Sequence, residues 1–370
     1  MKLVDQIGDC AGKTIIIRAD FNVPVKNGAV VDERRIDTEL KTIDFVLEKQ
    51  AKIILVSHIE NEGEDALLPV FNVLKNKYKV TFVEANLLKI KEAKEKLKNR
   101  EIILVENIRN FKGEKENDDN FSQEFASLGD YYVNEAFPVS HRNHASIIGF
   151  PKFLPSYIGF RFKKEIEELS HAFNPPHPFI FILGGAKFET KEPLIAKFLE
   201  IADHVFVGGA LGNDFFKAKG YEIGGSITSN STPPQSILDN EKILIPIDVV
   251  VRASDNRHVV RGQKEILPQE IVSDAGPKTI EMLQKYIMEA RMVLWNGPLG
   301  FYEKGFDGGT KEIAKIIAES RARSIVGGGD TTAAIKDLGV AERFTFISTG
   351  GGAMLEFLAK GTLPGIEVLK

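Results

Sequence analysis

The sequence predicts an α/β protein built as two Rossmann-like three-layer lobes with mainly parallel sheets, joined by an interdomain helix. Three observations carry that expectation. Short β-branched runs alternate with longer amphipathic segments from end to end, and the alternation restarts past the middle of the chain. Between the two series lies a strongly charged helical segment closed by Asn174-Pro175-Pro176. The length of 370 residues points the same way, because it exceeds the usual span of one hydrophobic core.

The first series reads as buried strands at residues 14–17, 52–56, 80–83 and 102–105. Unbroken apolar runs of this kind are what a parallel sheet covered on both faces requires. Residues 32–49, 65–78 and 117–128 carry apolar side chains at helical spacing. The second series predicts strands at 179–183, 204–207, 243–251, 292–295, 324–326 and 344–347. Residues 162–173 read as the interdomain helix, since the prolines that follow cannot continue it. The Ser-, Thr- and Pro-rich stretch 229–234 is expected to be an exposed loop.

Composition excludes several functional classes. Hydrophobic content of 43% and charged content of 27% are ordinary for a globular protein. No apolar run approaches the roughly 18 residues of a membrane span. The opening Met1-Lys2-Leu3-Val4-Asp5 lacks the features of a secretory signal, and Cys10 is the sole cysteine, so a cytoplasmic location without internal disulfides is expected. A net charge of −4, with both signs interleaved, provides no field to recruit nucleic acid or an anionic membrane. Any anion site must therefore be local.

The two halves carry different local chemistry. In the second half, three apolar strands run into glycine clusters that open helices: Gly184-Gly185-Ala186-Lys187, Gly327-Gly328-Gly329-Asp330-Thr331 and Thr349-Gly350-Gly351-Gly352. Glycines admit close approach of an oxyanion to backbone N–H groups, and the helix N-terminus adds partial positive charge. One such cluster is as readily structural as functional; three in one half favour phosphate binding. None has the lysine and hydroxyl of the common nucleotide-binding loop, nor the dinucleotide fingerprint. Lys187 and Lys191, four apart, suit a polyphosphate chain. Asp330 has the hard oxygen that magnesium takes beside nucleotide phosphates, and it equally suits a helix cap.

The first half is cationic at its strand ends. Arg18, His58 and Arg109 each fall at or just past the end of a predicted parallel strand, where open α/β sheets hold ligands, so their side chains are expected to converge. Arg35 and the run His141-Arg142-Asn143-His144 add to the set. Arginine forks pair bidentately with carboxylate and phosphate, so such a cluster predicts a small, multiply charged anion; separate surface salt bridges are the alternative. No cysteine or glutamate lies at zinc spacing beside the two histidines.

These residues resemble the phosphoglycerate kinase family over nearly the whole chain. The matching segments, in order, are Arg18-Ala19-Asp20-Phe21-Asn22-Val23-Pro24, Ser57-His58, Glu106-Asn107-Ile108-Arg109, His141 to Ser146, Gly184 to Lys187, Trp295-Asn296-Gly297-Pro298, Gly327 to Asp330, and Ser348 to Ala353. The resemblance implies an acid-substrate lobe at 1–161, an interdomain helix at 162–173, a nucleotide lobe at 174–360, and a final segment, 361–370, returning to the first lobe. It implies a monomeric enzyme of glycolysis acting on small molecules. The reaction would be reversible phosphoryl transfer between 1,3-bisphosphoglycerate with ADP and 3-phosphoglycerate with ATP, in line, on domain closure and with Mg2+.

By the same resemblance, Asp20, Phe21, Asn22 and Arg35 contact the glycerate end of the acid, and His58, Arg109 and Arg142 hold its phosphate. Arg35, Lys187, Gly328 and Gly351 support the phosphoryl group in flight. Lys191, Gly208, Gly209, Gly276, Asn296, Glu303, Gly328, Gly329, Asp330 and Thr331 bind the nucleotide, with Asp330 toward the metal. The departures fall in the acid lobe. Where the family has Leu-Gly-Arg-Pro after Ser57-His58, this chain has Ile59-Glu60-Asn61-Glu62, so an arginine is lost and carboxylates are gained. Where the family has Phe-Gly-Thr-Ala before His141, it has Phe137-Pro138-Val139-Ser140. A nucleotide-binding module with weakened or altered acid specificity, and an ATP-dependent enzyme that activates another carboxylate, are the competing readings.

Overall fold

The computed structural model describes residues 1–60 and 65–370. These divide into two compact units, Met1–Glu167 with Lys360–Lys370, and Glu168–Ala359. The division falls inside the helix Phe160–Ser170, which begins two residues before the expected connecting segment and ends in a 3-10 turn, His171–Phe173.

The strands of the first unit are β1 (Thr14–Arg18), β2 (Val25–Lys26), β3 (Ala29–Val30), β4 (Lys52–Val56), β5 (Val80–Val83), β6 (Ile102–Val105), β7 (Tyr131–Asn134) and β8 (Ser156–Ile158). Among the described residues, six of them form a parallel sheet in the order β5-β6-β4-β1-β7-β8, and β2 and β3 make a small antiparallel ribbon. Period-two alternation sends β1 into two cores. Ile15 and Ile17 join Ile43, Val46 and Val70 on one face, and Ile16 between them joins Phe125 and Phe150 on the other. Each fully buried isoleucine contributes roughly 1.5–3 kcal/mol, so a charge in place of Ile16 would break this layer.

The strands β7 and β8 do not stand out in the sequence. The first is aromatic and flanked by Asp130 and Glu135; the second is three residues long and follows Pro155 at the sheet edge. The helix Leu87–Lys96 also escapes a search for apolar period, because only Ile90 on it is buried; Asn86 caps it by accepting the N–H of Lys89. The expected helix at 65–78 is shorter, Leu68–Leu74, with Pro69 in its first turn.

The second unit continues with β9 (Phe179–Leu183), β10 (His204–Val207), β11 (Ile243–Leu244), β12 (Asp248–Arg252), β13 (His258–Gly262), β14 (Ile271–Ala275), β15 (Met292–Asn296), β16 (Arg323–Gly327) and β17 (Phe346–Ile347). Among the described residues a second parallel sheet runs β11-β10-β9-β15-β16-β17, beside an antiparallel sheet ordered β13-β12-β14. The single strand expected at 243–251 is therefore two strands in two sheets. Pro246, which has no N–H to offer a ladder, lies between them. The loop 229–234 is also less exposed than expected: Ser229 accepts the N–H of Phe188 at 2.7 Å, and Pro233 is buried.

The last residues belong to the first unit, where the N–H of Gly365 donates to the carbonyl of Ser140 at 2.9 Å. No helix among the described residues is long and apolar enough to cross a membrane.

The start of the helix Phe160–Ser170 rests on one buried carboxylate. Glu135 accepts the backbone N–H groups of Arg161 and Phe162 at 2.9 and 3.0 Å, together with the hydroxyl of Thr42 at 2.5 Å. Burial raises its pKa to about 7, against the hydrogen bonds that favour the charged form. An acid held neutral in this way binds a proton that the unfolded chain releases above about pH 4.5. The folded state then holds more protons from there to about pH 7, so stability falls as pH rises through that window and levels off above it. Glu135→Gln removes this titration. Thermal unfolding followed from about pH 5 to 8 is expected to show a shallower decline in the variant than in the wild type, and equal slopes would contradict the assignment.

Candidate active site

In the first unit, the chemistry collects where β1 and β4 end. Arg18 is 1% exposed, with three polar partners. Its Nε donates to Ser146 Oγ at 2.9 Å, Nη1 donates to the carbonyl of Ala19 at 2.5 Å, and Nη2 faces His58 Nδ1 at 3.3 Å. Arg18 thus converges with His58 as expected, but as a buried support. Burial depresses its pKa, and Glu114 and Tyr132 oppose the shift.

The histidines depart from the cationic expectation. His58 is buried, and that burial, together with Arg18, Arg109 and Arg35, holds its pKa far below the imidazole range. His144 is pushed down to about 4, by burial first and then by Arg109 and Arg18. Both are neutral near pH 7, so the positive charge of the cluster is arginine alone. With Nδ1 turned to the Arg18 guanidinium, His58 has its Nε2 left as a neutral hydrogen-bond donor.

Asp20 is buried and accepts Arg35 Nη1 at 2.7 Å. Asn22 accepts the backbone N–H of Glu60 at 3.0 Å. Arg109 pairs with Glu60. Arg142 is exposed, on the segment that carries His144. Phe21 is wholly enclosed in the core, and its N–H donates to Ser57 Oγ at 2.8 Å. Asn61 lies outside the described residues.

Sequence reasoning missed the group that organises this cluster. Glu114 is fully buried, accepting Ser146 N–H at 2.8 Å and Ser146 Oγ–H at 2.6 Å. Ser146 passes the contact on to Arg18, while Tyr132 donates its hydroxyl to the Ser146 carbonyl at 2.6 Å. A glutamate among charged residues at 112–116 carries no local sign of burial.

In the second unit, three chain turns meet backbone to backbone. The N–H of Gly184 donates to the Asn296 carbonyl at 2.8 Å, and that of Gly185 to the Pro298 carbonyl at 3.0 Å. A Cβ at Gly184 would overlap Gly297 and Pro298, and Gly209, at φ +61°, lies equally close to Gly185. Only glycine permits this approach. Lys187 takes a left-handed conformation, φ +66°, as the cap residue of the helix Phe188–Ile201, so it precedes the helix that was expected to hold it. Lys191 Nζ donates to the Ala186 carbonyl at 2.8 Å. Burial, then Lys187, depresses the pKa of Lys191, and an anion between the two ammonium groups would relieve their repulsion.

A cavity of about 530 Å³ opens beside these turns, the size of a small-molecule site. Gly209, Glu303 and Asp330 line it, with Asn213, Ser273 and Phe301 that sequence reasoning did not single out as ligand residues. Asp274 also lines the cavity. Its carboxylate accepts the N–H groups of Ala275 and Gly309, both at 2.8 Å, and burial raises its pKa to about 6.

The expected nucleotide residues Gly208, Gly276 and Asn296 are not among those lining this cavity. The N–H of Gly208 is used by the Leu183 carbonyl, and a Cβ there would meet the Phe206 ring. Gly276 is crowded by the Asp248 carboxylate, which accepts the N–H groups of Lys278 and Thr279. Asn296 is buried against Met354.

Gly328 caps the helix Gly329–Asp337 at φ +102°, which places Asp330 and the buried Thr331 in its first turn, so Asp330 is not the cap. Gly351, at φ +50°, precedes the helix Gly352–Lys360, and the space beside Gly329 and Gly351 is open. Asp330 is held above the usual carboxylate range by burial and then by Glu303. Such a carboxylate suits a divalent cation that keeps water and phosphate oxygens in its other positions.

An arginine cluster on one parallel sheet and glycine turns with an apolar-walled cavity on another are the equipment of a phosphotransferase of the two-unit α/β class. The family model for phosphoglycerate kinase matches residues 4–361. Among relatives, a phosphoglycerate kinase of Dictyoglomus turgidum is 41% identical, with 98% of this chain and 96% of that one covered. A phosphoglycerate kinase of Clostridioides difficile is 38% identical over 100% of this chain and 98% of its own. Among solved structures, phosphoglycerate kinase from Coxiella burnetii matches with a TM-score of 0.83 at 34% identity, covering 99% of this chain and 97% of that one. That from Pyrococcus horikoshii gives 0.86 at 30% identity, covering 100% and 98%. The chain belongs to the phosphoglycerate kinase family.

Removing Glu114 deletes the buried acid that balances Arg18 through Ser146. Glu114→Ala is expected to destabilise the chain by on the order of 3 kcal/mol in denaturant unfolding, with Ser146→Ala costing less because Arg18 keeps the Ala19 carbonyl. A Glu114→Ala cost below about 1 kcal/mol would contradict the role given to this network.

Proposed function

We propose that the chain catalyses reversible transfer of a phosphoryl group between 1,3-bisphosphoglycerate with ADP and 3-phosphoglycerate with ATP, in the cytoplasm and with Mg2+ bound to the nucleotide. One observation supports this beyond family membership. The chain carries an arginine cluster fit for a small polyanion and, separately, backbone cradles fit for a polyphosphate, each at the strand ends of its own parallel sheet.

In this reading Asp20, Asn22 and Arg35 orient the glycerate end, and His58, Arg109 and Arg142 take the phosphate. His58 donates as a neutral imidazole. Glu303 takes the ribose hydroxyls, Lys191 and the turns at Gly209 and Gly329 the phosphates, and Asp330 a water-bearing Mg2+. The nucleophile is the carboxylate of the acid, which is ionised at neutral pH, so attack on the terminal phosphate of ATP needs no base. The P–O bond to ADP breaks as the bond to the carboxylate forms. Catalysis is then positioning and charge neutralisation, supplied by Lys187, Arg35 and the helix N-termini at Gly328 and Gly351. In-line transfer requires the two ligands to meet, so the reading includes closure of the two units.

The test is a coupled assay with ATP and 3-phosphoglycerate. Wild type is expected to turn over both. Lys187→Ala should lower kcat by about 100-fold or more while changing the KM for ATP only a few-fold, because its ammonium is assigned to the group in transit. No turnover in the wild type would remove the activity, and an unchanged kcat in the variant would remove that role.

A further inference from the structure

Three arginines of the cluster in the first unit have acceptors within the chain. Arg35 is held by Asp20, Arg18 by Ala19 and Ser146, and Arg109 by Glu60. The third of these differs in kind from the others. Asp20 and Ser146 are buried, whereas the Glu60 side chain is 66% exposed and the Arg109 side chain only 14%. Arg109 is thus an inward, sheltered cation closed off by a carboxylate at the surface.

The backbone on both sides fixes this arrangement. The N–H of Glu60 donates to Asn22 Oδ1 at 3.0 Å, and the carbonyl of Ile59 accepts Asn107 Nδ2 at 2.7 Å. Asn107 Oδ1 in turn accepts the N–H of Arg109 at 3.1 Å. Asn107 therefore ties the Glu60 turn and Arg109 to one another, and Asn22 adds a second anchor. Arg109 Nε is buried without a hydrogen-bond partner among the described residues. Glu60 thus leaves the guanidinium incompletely satisfied, and a phosphate with three oxygens could serve it better.

We propose that Glu60 is an internal competitor for the acid's phosphate. Its carboxylate occupies Arg109 until a phosphate monoester displaces it, and this sets the affinity and anion selectivity of the cluster. The proposal rests on the assignment of Arg109 to the phosphate of the acid. Displacement is cheap, because the exposed glutamate returns to water on leaving. A phosphate offers two parallel hydrogen bonds and more charge, so it wins; a singly charged anion such as chloride offers neither.

The test uses the full chain and Glu60→Gln, with inorganic phosphate titrated calorimetrically in the absence of nucleotide, and steady-state kinetics alongside. Glu60→Gln is expected to bind phosphate about two- to fivefold more tightly and to lower the KM for 3-phosphoglycerate by a similar factor, with the KM for ATP as the internal reference. In an Arg109→Lys background, where the fork is lost, the same change should have less effect.

Phosphate binding that is unchanged or weaker in Glu60→Gln overturns the proposal, as does an undiminished gain in the Arg109→Lys background. Failure of both proteins to bind phosphate overturns it too. The titration needs no turnover. A chain that binds phosphate more tightly as Glu60→Gln, yet does not phosphorylate 3-phosphoglycerate, would sink the proposed activity and leave the competitor standing.

Discussion

A parallel sheet covered on both faces has only its strand ends for chemistry, and both units obey that constraint. The side chains of β1, β4 and β15 are almost wholly committed to the cores. Ligand-facing groups must therefore come from the turns after the strands, where backbone N–H groups are not yet used by a ladder. In the second unit the turns close on one another, and glycines at Gly184, Gly209 and Gly297 let three chain segments touch. In the first unit the turns carry arginines.

Concentrating arginine has an electrostatic consequence that runs through the first unit. Burial first, and then the nearby guanidinium groups, lower the proton affinity of the imidazoles, so His58 and His144 are neutral. Each guanidinium also needs a compensating acceptor, and the distance of that acceptor from water decides its character. Glu114 is buried and permanent; Glu60 is at the surface and exchangeable. One cluster thus combines a fixed internal scaffold with a face open to exchange with a ligand. A base is absent from the proposed chemistry for the same reason: a carboxylate nucleophile among arginines is already ionised.

Local signals were legible in the sequence. Apolar runs marked most central strands, and glycines after strands marked the turns that open helices, because both depend on a few adjacent residues. Interactions between distant segments were not. Ser146 meets Glu114 across 32 positions and Arg109 meets Glu60 across 49, and neither pairing has a spacing to betray it. Pro246 was visible, but its effect, splitting one apolar run between two sheets, depends on the antiparallel strands that claim β12.

The division of labour between the units is tested most directly by amide hydrogen exchange with each ligand alone. With 3-phosphoglycerate, protection should rise at residues 19–22, 57–60 and 107–109 and leave the cavity of the second unit unchanged. With Mg-ADP, it should rise at 185–187, 209–213, 300–304 and 329–331 and leave the arginine cluster unchanged. Protection by 3-phosphoglycerate at the glycine turns, or by Mg-ADP at the arginine cluster, would contradict the assignment of one ligand to each sheet.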